Sequence, residues 1–248
     1  HFEAIINLAG ASISEGRWTE TRKKEIYDSR INSCRTLENY LYDGRINTDI
    51  YIGSSAIGIY GDLGSTEVTE TTPIKAKDWF VKTVIDWEKA HMRIAALEIR
   101  TVIIRTGIVL SADGGAFKEI FKTSRWGVLP YFGNGRQIWS WIHLRDIAGI
   151  MFYCIDLKDL HGIFLGTAPH PVTNRKLVQA IDANIWLNLL VVGIPKFTLA
   201  LILGEMHRVL FESCNAPGKK IMEAGYQFQF STVQAAMKEL IHGKKGTL

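Results

Sequence analysis

The sequence predicts an α/β fold, in which crossover helices link the strands of a parallel sheet and a smaller lobe follows at the carboxyl end. Short apolar runs with the length of buried strands alternate with longer segments whose apolar residues recur at helical spacing. The 248 residues and 47% hydrophobic content suffice for a sizeable core. A glycine-rich loop from Gly127 to Gly135 suggests a boundary between residues 1–126 and residues 127–248.

Strands and helices alternate regularly in the first half of the chain. Residues 4–8 form an apolar run that stops at a turn ending in Gly10, which predicts a buried strand. Thr19 is a suitable N-cap for a long helix over residues 20–42. The pattern then predicts a strand at residues 50–54, a helix at 79–97 and a strand at 99–105.

The second half of the chain shows a less regular pattern. The predicted elements are a short helix ending near residue 123, a strand at 138–142, a helix at 146–154, a strand at 162–166, a turn at 169–174 that starts a helix, and helices at 197–211 and 232–241. Residues 176–196 do not fit, because a helix-like run passes into a nearly all-apolar segment without a turn signal. We expect residues to be omitted near Asp182.

Composition argues against several classes of function. The formal charge of +4 is small and the basic residues are mostly dispersed, which argues against nucleic-acid binding. The longest apolar run, residues 185–194, is interrupted and shorter than the ~20 residues of a membrane span. Three separated cysteines without a CxxC motif indicate reduced thiols in a cytoplasmic protein. The histidines form no metal-like cluster, so no metal site is predicted.

Short motifs occur in a fixed order along nearly the whole chain. They are Asn7-Leu8-Ala9-Gly10, Arg17-Trp18-Thr19, Ser29-Arg30, Ser54-Ser55-Ala56, Trp87-Glu88, Arg105-Thr106-Gly107, Gly114-Gly115, residues 133–137, Trp141-Ile142-His143, Asp146 and Pro171-Val172-Thr173-Asn174. Together they resemble the nucleotide-sugar epimerase-like branch of the extended short-chain dehydrogenase/reductases, also described as NAD-dependent epimerase/dehydratase-like. Any one motif alone would be weak, but their conjunction is specific.

The resemblance implies a Rossmann-like doubly wound parallel sheet that binds NADP or NAD and acts on a polar small molecule such as a nucleotide sugar. A homodimer is compatible with it. The implied cofactor contacts are Ala9, Gly10, Ser54, Arg105, Thr106, Gly107 and Ile108. An alternative interpretation treats these stretches as ordinary turns that end buried strands.

The family opens with a strand, a Gly-x-x-Gly-x-x-Gly turn and a helix that hold the cofactor pyrophosphate. No such turn stands between the first predicted strand, residues 4–8, and the first predicted helix, residues 20–42, and the resemblance places the start of this sequence at about the family's fourth strand. The resemblance therefore implies that residues 4–8 form an exposed apolar sheet edge. We expect roughly 50 or more further residues before His1 in the natural protein, a figure scaled from one βαβ unit.

The resemblance implies that Ser54 or Ser55 hydrogen-bonds a substrate carbonyl or hydroxyl. The family's usual partners are a tyrosine and, four residues later, a lysine that lowers the tyrosine pKa. Counting back from Glu88 places these positions at Phe80 and Val84, and neither side chain transfers protons. Two hypotheses stay open: an oxidoreductase or epimerase-like enzyme that obtains its proton elsewhere, and a non-catalytic cofactor-binding regulatory protein.

Several further polar and aromatic residues are candidates for contact with the substrate. They are Tyr60, Arg136, Gln137, Trp139, Trp141 and His143. Tryptophans two residues apart also fit a strand with one packed face, and His143 also fits the cap of the helix that follows it. Glu70 and Asp78 are interpreted as solvated loop carboxylates.

Overall fold

The computed structural model describes residues 1–75 and 77–243. Its strands are β1 (Phe2–Asn7), β2 (Thr48–Ala56), β3 (Arg100–Thr106), β4 (Ile108–Leu110), β5 (Val128–Phe132), β6 (Ile138–Trp139), β7 (Trp141–His143), β8 (Gly162–Gly166), β9 (Val172–Thr173) and β10 (Leu190–Ile194). Its α-helices are α1 (Glu20–Tyr42), α2 (Trp79–Ala95), α3 (Gly115–Lys122), α4 (Leu144–Asp156), α5 (Asn174–Asp182), α6 (Lys196–Leu203), α7 (His207–Phe211), α8 (Lys219–Glu223) and α9 (Val233–His242). Short 3-10 helices span Ile57–Tyr60, Thr123–Trp126 and Gly204–Met206.

The main sheet has four parallel strands in the order β1-β2-β3-β8. Side chains alternate across it, so the two faces of β2 contact different helices. Tyr51 packs with Leu41 of α1 and Ile94 of α2, whereas Ile52 packs with Ile150 of α4. Helices therefore cover both faces, which confirms the predicted doubly wound α/β fold.

Strand β1 lies at one edge of the main sheet. Within the described residues it pairs only with β2, and Phe2 at its start and Leu8 directly after it are 52% and 58% exposed. Ala4, Ile5 and Ile6 are partly buried. The prediction of an apolar edge strand is thus confirmed for the described part of the chain.

Local sequence signals set the starts of the two long helices. The Thr19 side chain accepts a hydrogen bond from the Arg22 amide and caps α1, as predicted. The Asp78 carboxylate accepts hydrogen bonds from the amides of Phe80 and Val81 and caps α2. Asp78 is an exposed loop residue, as interpreted from the sequence, and its carboxylate also satisfies two amides at the start of a helix.

A second core lies in the carboxyl-terminal half. Its buried members include Leu129, Leu177 and Met237. It also takes in Leu110 and Phe117, which precede the predicted boundary at residues 126 and 127. Strand β8 follows that boundary but pairs with β3, so part of the second half belongs to the main sheet.

The segment from residue 184 to residue 211 differs from the sequence expectation. Its apolar run contains β10, which pairs in parallel with β5 from Leu190 to Ile194. The predicted helix over residues 197–211 is divided into α6, a 3-10 turn and α7. The break falls at Gly204, whose φ of +59° lies in the left-handed region that favours glycine.

Candidate functional site

The carboxyl ends of the main-sheet strands meet at one edge. Ala9 and Gly10 follow β1 and are exposed, whereas Ser54 near the end of β2 is half-buried. Thr106 and Gly107, at the end of β3, are also half-buried. Because parallel strands direct their carboxyl ends to the same side, the sheet brings these three groups of predicted cofactor contacts to one edge.

Packing within the protein accounts for glycine at position 107. A Cβ added to Gly107 would lie 2.4 Å from the Ser140 carbonyl oxygen and 2.7 Å from Thr167 Cγ2. Its amide donates to the Gly166 carbonyl at 3.1 Å, and the Ile108 amide donates to the Ser140 carbonyl at 2.9 Å. The small residue is therefore required by the neighbouring chain, with or without a ligand.

The two predicted serines differ in their availability. Ser55 is only 2% exposed, and its hydroxyl donates to Glu88 Oε1 on α2 at 2.6 Å. Ser54 lies on the opposite face of β2 and is half-buried. The assignment of Ser55 to substrate binding is corrected, because its proton is held by a buried carboxylate. Ser54 is the better candidate.

A buried ion pair lies beneath the strand ends. Arg105 donates from Nε to Glu88 Oε1 and from Nη2 to Glu88 Oε2, both at 2.8 Å. Arg105 Nη1 also donates to Tyr60 Oη at 2.6 Å and to the Glu70 carbonyl at 3.0 Å. Burial opposes the charge on Arg105, but Glu88 more than offsets it, so the pKa of Arg105 is raised. The Arg105 side chain is thus committed to internal contacts.

Tyr60 and Glu70 belong to the same network. Tyr60 is 1% exposed, its hydroxyl donates to the Thr69 carbonyl at 2.8 Å, and burial raises its pKa to about 12 although Arg105 acts in the opposite direction. Glu70 Oε1 accepts from the Leu165 amide at 2.9 Å. The prediction that Tyr60 contacts substrate and the interpretation of Glu70 as solvated are both corrected, because both groups fasten the loop that follows β2.

The positions of the family's tyrosine and lysine lie in a hydrophobic cluster. Phe80 is 8% exposed and stacks on Trp18 with ring centroids 5.4 Å apart, and a Cβ added to Gly58 would lie 2.5 Å from Phe80 Cε1. Val84 is 1% exposed in the same cluster, beside Ile59. Protein atoms therefore fill the space around both positions.

Three predicted substrate contacts in the second half are buried. Gln137, Trp139 and Trp141 are 7%, 2% and 0% exposed. Gln137 Nε2 donates to two backbone carbonyls at 3.1 Å, and Trp141 Nε1 donates to the His170 carbonyl at 3.1 Å. The predictions for Trp139 and Trp141 are corrected, because both pack in the second core, whereas Gln137 also lines a surface pocket although backbone carbonyls occupy its amide nitrogen.

His143 begins helix α4 and holds the last helix, α9. It is 2% exposed, its Nδ1 accepts from the Arg145 amide at 3.1 Å, and its Nε2 lies 2.9 Å from Glu239 Oε2. Burial lowers its pKa, although Glu239 acts in the opposite direction. The helix-capping alternative is confirmed and the substrate contact is corrected. Glu239 could not be paired with it from sequence, since 96 positions separate them.

Arg136 differs from the other predicted substrate contacts because it is exposed. It lines a surface pocket of about 320 Å³ between the loop that follows β2 and the segment that follows α7. Asp62 Oδ1 joins the two sides, because it accepts from the Gly64 amide at 3.0 Å and from the Ser213 amide at 3.2 Å. Two further polar residues of the pocket, Ser65 and Ser213, were not predicted from the sequence.

The described residues show no sign of two other kinds of site. No group of three His, Cys, Asp or Glu side chains among them could hold a metal ion. No helix in this part of the chain is long and apolar enough to cross a bilayer.

The cysteines are buried and not in disulfides, and burial raises the pKa of Cys154 to about 11 and of Cys214 to about 12. They are therefore protonated, unreactive thiols at neutral pH.

A buried polar cluster lies behind the strand ends, between α1 and α2. His91 is fully buried, with Nδ1 at 2.8 Å from Tyr51 Oη and Nε2 at 2.9 Å from the Ser54 carbonyl. Burial lowers the pKa of His91 to about 4, against the opposing effects of the Ser54 carbonyl and of Glu88. Burial also raises the pKa values of Cys34 and Tyr51, so both stay protonated at neutral pH. The ring of His91 is consequently neutral at pH 7.

We expect the free energy of unfolding to fall as the pH is lowered from 6.5 to 4, because of His91. The unfolded chain binds a proton on this side chain below about pH 6.5, whereas the folded chain resists protonation until about pH 4, so acidification favours unfolding. The loss amounts to about 3 kcal/mol over this interval. Urea denaturation of the unmodified protein and of His91→Gln at several pH values measures it. If the free energies of unfolding of the two proteins change with pH in parallel, the lowered pKa of His91 is contradicted.

The parallel sheet, the crossover helices on both faces and the small and hydroxyl-bearing residues at the strand ends define a Rossmann-like α/β protein of the kind that binds ligands at that edge. The family model described as NAD dependent epimerase/dehydratase family matches residues 1–163. A second model, a domain of unknown function (DUF1731), matches residues 194–240. The chain belongs to the NAD dependent epimerase/dehydratase family.

Individual relatives agree with this membership. The epimerase family protein YfhF of Bacillus subtilis (strain 168) is 34% identical over 250 residues, which cover 99% of this chain and 80% of YfhF. The crystal structure of human epimerase family protein SDR39U1 (isoform2) with NADPH has a TM-score of 0.89 and 28% identity, and the match covers 96% of this chain and 81% of the human one.

A more distant solved structure shares the fold alone. The UDP-glucose 4-epimerase of Thermus thermophilus in complex with NAD has a TM-score of 0.76 at 13% identity, and the match covers 99% of this chain and 78% of that one.

Proposed function

We propose that this protein is an NAD(P)-dependent, epimerase/dehydratase-like oxidoreductase that acts on a nucleotide-sugar-like or other polar small molecule. The observation that carries the proposal is the carboxyl end of the main sheet, where the exposed Gly10 and the half-buried Ser54 and Gly107 lie at the ends of three adjacent parallel strands. Family membership and the NADPH of the human relative support the choice of cofactor.

The residues at the carboxyl ends of these strands would contact both halves of such a cofactor, with Ala9 and Gly10 beside the adenosine half and the backbone at Thr106 and Gly107 beside the nicotinamide. Ala9 and Gly10 are small and exposed, which allows a ligand to approach the backbone, and Ser54 offers a hydroxyl. No Gly-x-x-Gly-x-x-Gly turn for the pyrophosphate stands between β1 and α1. NADP or NAD supplies hydride transfer when bound.

Ser54 would orient a substrate carbonyl or hydroxyl by donating a hydrogen bond, and the arginine of the neighbouring pocket, Arg136, suits an anionic substrate group.

A second candidate function is non-catalytic binding of the same cofactor for a regulatory purpose. The observation that favours it is the burial of Phe80 and Val84, since neither they nor their hydrophobic neighbours can transfer a proton. Catalysis would require the substrate or a water molecule to supply the proton. Both functions share the cofactor site, so one binding experiment tests them together.

Calorimetric titration of the full-length protein with NADPH and with NADH tests the shared site. We expect saturable binding of at least one of them, because the strand-end edge provides the contacts described above. Adenosine is contained in both dinucleotides but lacks the nicotinamide half. Weaker binding of adenosine than of the dinucleotide would show that the rest of the cofactor contributes to affinity. If neither dinucleotide binds at millimolar concentration, both functions fail.

Turnover of nucleotide sugars discriminates between the two functions. For the enzyme, replacing Ser54 with alanine should lower kcat about 100-fold, because one hydrogen-bond donor aimed at the reacting oxygen contributes about that much. Ser124→Ala serves as a matched control, since Ser124 is also half-buried and donates to the Phe121 carbonyl far from the strand ends. Binding of cofactor without turnover of any nucleotide sugar tested would favour the regulatory function.

A further inference from the structure

A continuous chain of hydrogen bonds connects two of the strand ends through the interior of the protein. The Ala9 amide donates to Asn7 Oδ1 at 3.1 Å, and Asn7 Nδ2 donates to Tyr51 Oη at 2.9 Å. Tyr51 Oη lies 2.8 Å from His91 Nδ1, and His91 Nε2 lies 2.9 Å from the Ser54 carbonyl. The chain thus begins at the turn after β1 and finishes at the end of β2.

The chemistry of the groups fixes the direction of every bond in this chain. The Ser54 carbonyl can only accept, so His91 Nε2 carries the proton, and Nδ1 of the neutral ring must accept. Tyr51 therefore donates its single proton to His91 and accepts from Asn7. Each member is satisfied by the next one, which makes the chain cooperative: removing one group weakens the hydrogen bonding of its neighbours.

The surroundings hold this chain in one geometry. Asn7 is 4% exposed, and Tyr51 and His91 are fully buried. A Cβ added to Gly53 would lie 2.6 Å from His91 Nδ1, so glycine at this position leaves room for the imidazole. The Cys34 thiol, 3.5 Å from His91 Nδ1, closes the cluster from α1. None of these groups is at the surface, so a ligand at the strand ends does not touch them.

We propose that Asn7, Tyr51 and His91 are positioning residues that hold the Ala9–Gly10 turn and the Ser54 end of β2 in a fixed relation, so that both ends contact the cofactor together. The inference rests on the proposed function, because it takes both strand ends as cofactor contacts. The three residues act through the backbone of Ala9 and Ser54. A change in the middle of the chain therefore affects both contacts at once.

Replacing Tyr51 with phenylalanine tests this, because it removes one hydroxyl and keeps the ring. Asn7 Nδ2 and His91 Nδ1 both lose their oxygen partner and keep only the weaker contacts with Cys34 Sγ at 3.6 and 3.5 Å, and we expect cofactor affinity in calorimetry to fall about tenfold. The matched control is Tyr226→Phe, which removes another buried hydroxyl, one that contacts Asp146 at 3.1 and 3.2 Å. A purely structural role predicts that both variants lose stability and neither loses affinity, which would overturn the proposal.

Amide hydrogen exchange by NMR gives a readout that does not require a cofactor. Exchange at the Ala9 amide should accelerate several-fold in Tyr51→Phe, because Asn7 is freed to move, and should stay unchanged in Tyr226→Phe. Unchanged Ala9 exchange together with unchanged affinity would refute the positioning role while leaving the proposed function intact. The unmodified protein could bind neither NADPH nor NADH while Ala9 exchange still accelerates in Tyr51→Phe. In that case the proposed function fails, and the hydrogen-bond chain still holds the Ala9–Gly10 turn.

Two further measurements keep the inference testable if Tyr51→Phe does not fold. Asn7→Leu breaks the chain at its other end and should likewise accelerate Ala9 exchange and weaken cofactor binding about tenfold. In the unmodified protein, nitrogen chemical shifts of the His91 ring report its tautomer. A proton on Nε2 supports the chain, and a proton on Nδ1 would reverse the direction of its bonds and overturn it.

Discussion

Replacing Arg105 with leucine is expected to lower the free energy of unfolding by about 3 to 5 kcal/mol. The change leaves the Glu88 carboxylate buried without its cation, because Arg105 makes both charge-assisted hydrogen bonds to it and is itself 4% exposed. It also removes the donor that reaches Tyr60 and the Glu70 carbonyl, so the loop after β2 loses an anchor. Urea denaturation at pH 7 measures the loss.

The double variant Arg105→Leu/Glu88→Leu is the control for this prediction. It removes both charges, so most of the lost stability should return, although the Ser55 hydroxyl then lacks its acceptor. If the single variant is as stable as the unmodified protein, the ion pair contributes nothing. If the double variant is no more stable than the single one, the loss comes from packing and not from an unpaired charge.

The ion pair also bears on how the family motifs should be interpreted here. Ser55, Glu88 and Arg105 all belong to motifs on which the resemblance rests. In the structure their side chains bind one another under the sheet edge, 2.6 to 2.8 Å apart. Their contacts thus fix the end of β3 against the start of the loop after β2, and Ser54 belongs to no part of this network.

Much of the fold could be predicted from the sequence, because local signals and tertiary packing agree there. Helix α1 has the predicted bounds at Glu20 and Tyr42, since Thr19 caps it and the apolar residues recur at helical spacing. The strand at Gly162–Gly166 was also predicted correctly. By contrast, the pairing of β10 with β5 joins segments about 60 positions apart, and no local signal encodes such a contact.

The candidate site was harder to predict, because residue type does not determine where a side chain points. Trp139 and Trp141 have aromatic and polar groups suited to a ligand, yet both are in the second core, and the Ser140 between them is buried as well. The sequence could not show that both faces of this segment are covered. Glycine-containing turns were more informative, since backbone position follows from strand order. Ala9, Gly10 and Gly107 lie at the edge that the order predicts.

Val84→Lys, which installs the family's lysine, is expected to lower the free energy of unfolding by about 4 kcal/mol at pH 7. Val84 is 1% exposed in a cluster with Trp18, Ile59 and Phe80, so the new ammonium has no partner there and must lose its proton for the protein to fold. We expect no gain in nucleotide-sugar turnover when Phe80→Tyr is added, because apolar side chains enclose both positions and leave neither group free to exchange a proton with a substrate.

Val84→Met is the matched control, since methionine adds a chain of similar length without a charge and costs only the strain of overpacking, about 1 to 3 kcal/mol. The unfolded chain keeps the lysine proton up to about pH 10.4, whereas the folded chain loses it at a lower pH, so the stability deficit of Val84→Lys relative to Val84→Met should shrink between pH 7 and pH 10. Equal stability of the two variants at pH 7 would place the ammonium in solvent at the strand-end edge. In that case the tyrosine and lysine positions would face the ligand, and burial of Phe80 and Val84 could no longer favour the regulatory function over the enzyme.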